Sequence, residues 1–156
     1  MECCMVCERI DQIKTGKNPY FVKELNTGYV VMGDYQRIKG YSLFLCKEHA
    51  TELHFLEPDF RDEFLHEMAI VAEAVYNAFR PDKLNYELLG SGNGAHMHWH
   101  IFPRRKKDLE TAGPVWKLGS ELTAAEFIPM PEELEELKTR LRIELDRLQC
   151  GKDPLL

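Results

Sequence analysis

The chain has 156 residues, 44% of them hydrophobic, which is enough for one domain with its own core. Its 20 Lys and Arg residues against 26 Asp and Glu residues give a net charge of −6, which argues against a protein that binds nucleic acid through general phosphate attraction. No apolar run reaches the roughly 20 residues of a membrane-spanning helix, and the amino terminus lacks the features of a signal peptide, so we expect a cytoplasmic protein without a nucleic-acid or membrane partner.

The first third of the chain predicts three strands. Residues 20–24 and 29–32 flank a Leu-Asn-Thr-Gly turn and should form a hairpin, because Asn and Gly favour the turn conformation. Residues 41–46 follow Gly40 as a third strand, and a short helical turn is expected at 48–53.

The rest of the chain predicts two helices and two more strands. From Pro58 the apolar residues recur with the helical period of 3.6, and the pattern stops at Arg80-Pro81. A fourth strand at 85–89 leads through a glycine-rich loop, 90–94, into a strand that contains three histidines. Pro131 opens a last helix, with a leucine stripe that is typical of a packing face.

The predicted strands follow one another in succession and do not alternate strictly with helices. Together with two substantial helices, this order predicts an α+β fold with an antiparallel sheet. We expect a single domain over residues 1–156, with a carboxyl-terminal helical extension at about 131–149. The histidine strand should be central in the sheet, because its alternate residues Met97, Trp99 and Ile101 need a helix to cover them.

His96, His98 and His100 alternate along one strand, so their side chains should share one face. At ~3.3 Å per residue the outer two Cα atoms lie about 13 Å apart, too far for three rings to bind one zinc ion comfortably from a straight strand. The three histidines are therefore expected to have different tasks. The alternative is a merely polar strand face, which the apolar residues between the histidines and the following Arg104-Arg105 disfavour.

A neutral imidazole is a nucleophile that can attack phosphorus. Gly90, Gly92 and Gly94 would let the backbone approach a bulky anion, and Arg104 could neutralise its charge. Such a loop is otherwise a tight connection, and its position directly before the histidines favours the anion-binding interpretation.

Cys4 and Cys7 have the spacing of a zinc ligand pair, but no second close Cys/His pair follows. The remaining ligands must come from elsewhere in the chain, where the other histidines are His49, His54, His66 and the three alternating ones. Cys46 is expected to pack in its strand, and Cys3 and Cys150 are expected to have no role.

These residues resemble the histidine triad (HIT) family of nucleotide hydrolases and transferases. The family motif, His-x-His-x-His followed by two apolar residues, matches 96–102 in full. Further similarity lies in the Cys4-x-x-Cys7 pair, in the segment 40–49 and in Gly-Pro-Val-Trp at 113–116, so the resemblance covers about residues 4–117.

The resemblance implies a five-stranded antiparallel sheet with helices, a homodimer and cleavage at the α-phosphate of a bound nucleotide. His98 would be the nucleophile, the backbone carbonyl of His96 would fix its tautomer, and His100 would contact the phosphate or the leaving group. Asp34 would contact the ribose. In zinc-carrying members the structural metal ligands correspond to Cys4, Cys7, His49 and His96, and no organic cofactor is implied.

One segment departs from the family pattern. Many members carry Gly-Gln and a small hydroxyl residue before the triad, whereas this chain has Gly92-Asn93-Gly94-Ala95, in which Asn93 replaces the glutamine as a nucleotide contact and Gly94 follows it. A histidine at the third triad position favours hydrolysis over sugar transfer. We therefore expect a nucleotidyl hydrolase acting on a dinucleoside polyphosphate or a nucleoside phosphoramidate. The alternatives are a phosphorylase and a non-catalytic nucleotide-binding interaction module.

Overall fold

The computed structural model describes residues 4–151, so Cys3 and both ends of the expected domain, 1–3 and 152–156, lie outside the described residues. Its five strands are β1 (Phe21–Glu24), β2 (Gly28–Met32), β3 (Ser42–Cys46), β4 (Lys83–Leu88) and β5 (His98–Arg104). They form one antiparallel sheet in the order β1-β2-β3-β5-β4. The predicted antiparallel α+β fold is confirmed. The histidine strand β5 has a neighbour on each side, although β3 occupies the middle of the sheet.

The strand boundaries differ from the predicted ones by one or two residues. The β1–β2 hairpin is present, β4 begins two residues early at Lys83, and β5 begins only at His98. His96 therefore precedes the strand instead of lying in it. This difference matters because it frees the His96 ring from the strict alternation of the strand.

Three α-helices accompany the sheet: α1 (Met5–Lys14), α2 (Pro58–Phe79) and α3 (Pro131–Cys150). The predicted helices α2 and α3 are confirmed, and both begin with the expected proline. The leucine stripe of α3 packs as predicted, with Leu134, Leu137, Leu141 and Leu145 buried. The helical turn expected at 48–53 is wrong, since the only helical turn there is a 3-10 turn at Leu53–Phe55.

Helix α1 was not predicted. Cys4 caps its amino end, where the Sγ atom accepts a hydrogen bond from the backbone N–H of Cys7 at 3.4 Å. Val6 and Ile10 are buried against the sheet. The helix is anchored by this packing and by its cap, because ten residues are too few for a stable isolated helix.

Helices α2 and α3 cover one face of the sheet and form the main core with it. Met97, Trp99 and Ile101 pack into this core, as expected for the residues between the histidines. The buried carboxylate of Glu67 on α2 accepts hydrogen bonds from the backbone of Asn26 and Thr27, at 2.9 and 2.8 Å. This contact holds the β1–β2 turn against α2.

Gly40, shortly before β3, lies against the end of α2. Its φ of +92° is in the left-handed region, and a Cβ atom there would lie 2.6 Å from Phe79 Cγ. Only glycine fits both restrictions. The following residue, Tyr41, lies on the sheet face opposite to α2.

Within residues 4–151, no helix combines the length and the apolar character that crossing a membrane requires.

Candidate active site and metal centre

Two cysteines and two histidines meet at the amino end of α1. Cys7 Sγ lies 3.2 Å from His49 Nδ1 and 3.4 Å from His96 Nδ1, and Cys4 Sγ lies 3.5 Å from His96 Nδ1. The backbone N–H of Met97 bonds to the carbonyl of Ala50, which brings the segment before β5 alongside the segment after β3. The ligand atoms of these four residues all lie within 4.8 Å of one another.

This donor set fits zinc. Two thiolates and two imidazoles are a common zinc ligand set, and bonds of about 2.1–2.3 Å in a tetrahedron separate the ligand atoms by about 3.4–3.8 Å. His96 Nε2 lies 2.8 Å from the carbonyl of Cys46 and donates to it, so Nδ1 remains free to bind a metal. Burial lowers the pKa of His96, which favours the neutral form that a metal needs. His54 and His66 are exposed and lie outside this cluster.

The His96 residue also orients the next histidine of the triad. His98 Nδ1 lies 2.8 Å from the His96 carbonyl oxygen, which can only accept, so Nδ1 carries the proton. His98 Nε2 is then the nitrogen with a free lone pair. His98 is buried, and this burial lowers the pKa of its ring, so that the ring is neutral at pH 7.

His100 neighbours His98 on the same face of β5, with ring centroids 4.6 Å apart. Its Nδ1 atom lies 2.6 Å from the hydroxyl oxygen of Tyr41. Burial, followed by the repulsion from His98, lowers the pKa of His100 to about 4. Burial also raises the pKa of Tyr41, which keeps the phenol protonated. When Tyr41 donates, His100 carries its proton on Nε2 and is a neutral hydrogen-bond donor.

A cavity of about 320 Å³ lies over this face of the sheet. Its wall runs from α1 and β2 across β3 and β5 to β4, and the segment 115–123 closes it. His98 and His100 line it between the β2 side and the β4 side. A largely apolar cavity of this volume with a few polar groups is typical of a small-molecule site.

Asp34 lines the β2 side of the cavity. Its carboxylate binds the guanidinium of Arg9 on α1, with Arg9 Nη1 donating to Oδ1 at 2.7 Å and Nη2 to Oδ2. Arg9 lines the cavity as well. The pair fixes the direction of the carboxylate, and each oxygen keeps a lone pair for a further donor.

The other expected nucleotide contacts, Asn93, Gly94 and Arg104, are not among the described residues that line the cavity. Asn93 and Gly94 belong to a 3-10 turn, Gly92–Gly94, in which the Gly94 amide bonds to the Ser91 carbonyl at 3.0 Å. Arg104 is bound to both carboxylate oxygens of Asp108. Their contacts with a nucleotide stay a prediction.

Three residues of the site were missed from the sequence: Arg9, Tyr41 and Glu87. Tyr41 could have been found, because it continues the alternation of β3 toward the face that the histidines share. Glu87 requires the register of β4 against β5, where it lies opposite His100. Arg9 requires α1, which was not predicted.

The family is shown by the HIT domain model, which matches residues 20–107, more than half of the chain. The chain belongs to the HIT family. This membership fits nucleotide hydrolase or transferase activity. No curated protein shows significant sequence similarity to the chain.

Solved structures of HIT proteins share the fold. A histidine triad protein from Bradyrhizobium japonicum superposes with a TM-score of 0.69 at 21% identity, over 80% of this chain and 89% of that one. A histidine triad nucleotide-binding protein from Sulfolobus tokodaii gives 0.70 at 20% identity, over 95% and 97%. A zinc-bound histidine triad family protein from Mycobacterium smegmatis gives 0.57 at 21% identity, over 97% and 99%.

Proposed function

We propose that this HIT protein is a nucleotidyl hydrolase that cleaves at the α-phosphate of a dinucleoside polyphosphate or a nucleoside phosphoramidate. The observation that carries the proposal is the hydrogen bond from His98 Nδ1 to the His96 carbonyl inside the cavity. It directs the proton to one nitrogen and leaves the other as a nucleophile.

Each residue of the site has a distinct task in this reaction. Asp34, held by Arg9, accepts a hydrogen bond from a ribose hydroxyl. His98 Nε2 attacks the α-phosphorus, the bond to the leaving group breaks, and a nucleotidyl-His98 forms. The neutral His100 donates a hydrogen bond to a phosphate oxygen. Water then attacks the phosphorus, the bond to His98 Nε2 breaks, and a nucleoside monophosphate is released.

Zinc bound by Cys4, Cys7, His49 and His96 would have a structural role. Four protein ligands close its coordination sphere, so the metal would supply folding free energy and not Lewis-acid chemistry. Its position supports the reaction indirectly, because the residue that would bind it through a ring nitrogen also orients His98 through its carbonyl.

Water is the favoured acceptor, rather than inorganic phosphate. The Arg105 guanidinium donates to the carbonyls of Lys39 and Phe79, at 3.0 and 2.8 Å, and Arg104 is held by Asp108. Neither arginine is therefore presented to a second anion. This arrangement disfavours the phosphorylase alternative.

The test is nucleotidylation of His98. The wild type, mixed with a nucleoside phosphoramidate and quenched, should carry an acid-labile nucleotide adduct by mass spectrometry and should release nucleoside monophosphate. His98→Gly should lose the adduct and several orders of magnitude of turnover. Near-normal turnover in this variant would reject the nucleophile, and an inactive wild type that binds nucleotide would favour the interaction module.

A homodimer and a cytoplasmic location are parts of the same proposal. Strand β4 is an edge of the sheet, and Tyr86 and Leu89 on and after it are exposed apolar residues, which supports a subunit contact there. Cys4 and Cys7 lie in a cluster that could hold a metal ion, which supports a compartment where thiols stay reduced. Light scattering of the purified chain measures the subunit number.

A further inference from the structure

Glu87 is a carboxylic acid in the cavity that the proposed reaction does not use. It lies on β4 directly opposite His100 on β5, and both side chains line the cavity. Side chains in such opposed positions have Cβ atoms about 4.5–5.5 Å apart. A group on the substrate that reaches the triad is therefore within reach of the Glu87 carboxyl as well.

One oxygen of this carboxyl has no hydrogen-bond partner among the described residues. Glu87 Oε2 is buried and makes no hydrogen bond with any residue in the part of the chain that the structure describes, 4–151. Buried polar atoms of this kind are rare, because an unmade hydrogen bond is unfavourable. The atom is thus a candidate contact for a bound molecule.

The nearby arginine does not neutralise Glu87 by hydrogen bonding. Arg104 Nε and Nη2 donate to Asp108, and Nη1 donates to Asn85 and to the Gly113 carbonyl, each at 2.9 Å. Burial raises the pKa of the Glu87 carboxyl, although the charge of Arg104 acts in the opposite direction. A carboxyl with a raised pKa is a better proton donor near neutral pH than one at its ordinary value.

The position of Glu87 relative to Asp34 indicates which part of the substrate Glu87 would contact. Asp34 lies on the β2 side of the cavity, the histidines lie on β5, and Glu87 lies beyond them on β4. A nucleotide with its ribose at Asp34 and its α-phosphate at His98 would place the group bonded to phosphorus on the β4 side. The leaving group is therefore the part of the substrate that meets Glu87.

His100 is a weaker candidate for moving this proton. Its Nδ1 atom is engaged by Tyr41, and its ring is neutral at pH 7, so it has no spare proton to release. Among the described residues lining the cavity, Glu87 is the carboxyl that has no ion-pair partner, since Asp34 is held by Arg9.

Resting on the proposed function, we infer that Glu87 is the catalytic acid and base of this site. As His98 Nε2 bonds to phosphorus and the bond to the leaving group breaks, the Glu87 carboxyl gives its proton to the departing atom. In the second step a water oxygen bonds to phosphorus, the bond to His98 Nε2 breaks, and the Glu87 carboxylate takes the proton that water loses. The enzyme returns to its starting protonation state.

The test compares two leaving groups in the wild type and in Glu87→Gln, which keeps the shape of the side chain. The p-nitrophenyl ester of AMP releases a stable phenolate that needs no proton, whereas an N-alkyl phosphoramidate of AMP releases an amine that does. In single turnovers, Glu87→Gln should form the nucleotidyl-His98 adduct from the phosphoramidate about 10²–10⁴-fold more slowly. The p-nitrophenolate burst should stay within about threefold of wild type, with slower turnover after it.

Glu73→Gln is the matched control, because Glu73 is an exposed carboxyl on α2 that does not line the cavity among the described residues, and both rates should be unchanged. An equal loss with both substrates, or no loss with either, would overturn the assignment in an active enzyme. If Glu87→Gln does not fold, Glu87→Ala with added formate replaces it, and the phosphoramidate rate must recover with formate. A wild type that releases no p-nitrophenolate would reject the proposed function, and the role of Glu87 with it.

Discussion

The hydroxyl oxygen of Tyr41 lies 2.6 Å from Nδ1 of His100, and the planes of the two rings are nearly parallel, at 8°. Tyr41 also stacks on Phe102, at 4.2 Å between ring centroids. The phenol is thus held by a hydrogen bond to one residue of β5 and by ring stacking on another. This contact selects one tautomer of His100 at neutral pH.

Tyr41→Phe should therefore slow the reaction without unfolding the protein. Losing a hydrogen bond of about 1 kcal/mol leaves His100 free to change tautomer, and kcat should fall about fivefold. KM should change much less, because the phenyl ring keeps its packing. Steady-state kinetics checks this, with Tyr76→Phe on the exposed side of α2 as the control for loss of a hydroxyl. An unchanged kcat would show that Tyr41 only packs.

Removing the metal should destabilise the protein more than it slows the folded enzyme. One zinc per chain is expected in a freshly purified, untagged sample by metal analysis. Chelation or Cys4→Ser should lower the melting temperature by ~10 °C or more, because a closed zinc site contributes to folding. Cys150→Ser is the matched control, since Cys150 is exposed and lies outside the cluster. A zinc-free protein with a stable Cys4→Ser variant would contradict the site.

The stability of the protein should fall with decreasing pH through His100. Its pKa is lowered from 6.5 to about 4 in the folded state, so the unfolded chain binds more protons between these values. Stability contributed by the neutral ring is then complete above about pH 6.5 and is lost as the pH falls toward 4. The difference between pH 7.5 and pH 5.0 amounts to about 2 kcal/mol. Urea unfolding at both pH values should show this difference shrinking in His100→Gln.

Phosphate should not act as the acceptor. With diadenosine tetraphosphate the expected products are AMP and ATP, and millimolar phosphate should not convert the AMP into ADP. The reason is that Arg104 and Arg105 are engaged by other residues of the protein. Chromatography of the products decides the matter, and ADP formation that outpaces AMP release would establish a phosphorylase instead.

Much of the fold follows from local patterns in the sequence. The 3.6-residue period of α2 and α3, the Asn-Gly turn of the first hairpin and the alternation around the histidines each act over a few residues, so each can be recognised without the structure. Helix α1 was not predicted because its apolar stripe is short, with Val6 and Ile10 as its buried residues.

The sequence predicts those parts of the site that belong to a recognisable motif. The triad and the four residues of the metal cluster followed from the family resemblance, and the structure brings Cys4, Cys7, His49 and His96 together as that resemblance implies. Asp108 binds the Arg104 guanidinium and the Ser91 carbonyl binds the Gly94 amide, contacts that composition and spacing do not reveal. The roles of Arg104 and Gly94 as nucleotide contacts stay predictions.

The sequence by itself determined the strands, the two long helices and the histidine face, because hydrophobic period and turn chemistry are local properties. Only the tertiary structure decided which polar groups meet across the cavity. Arg9 meets Asp34 from 25 residues away, Tyr41 meets His100 from 59, and Glu87 faces His100 through strand register. Such contacts depend on the order and register of the strands and on the docking of α1, which no single segment encodes.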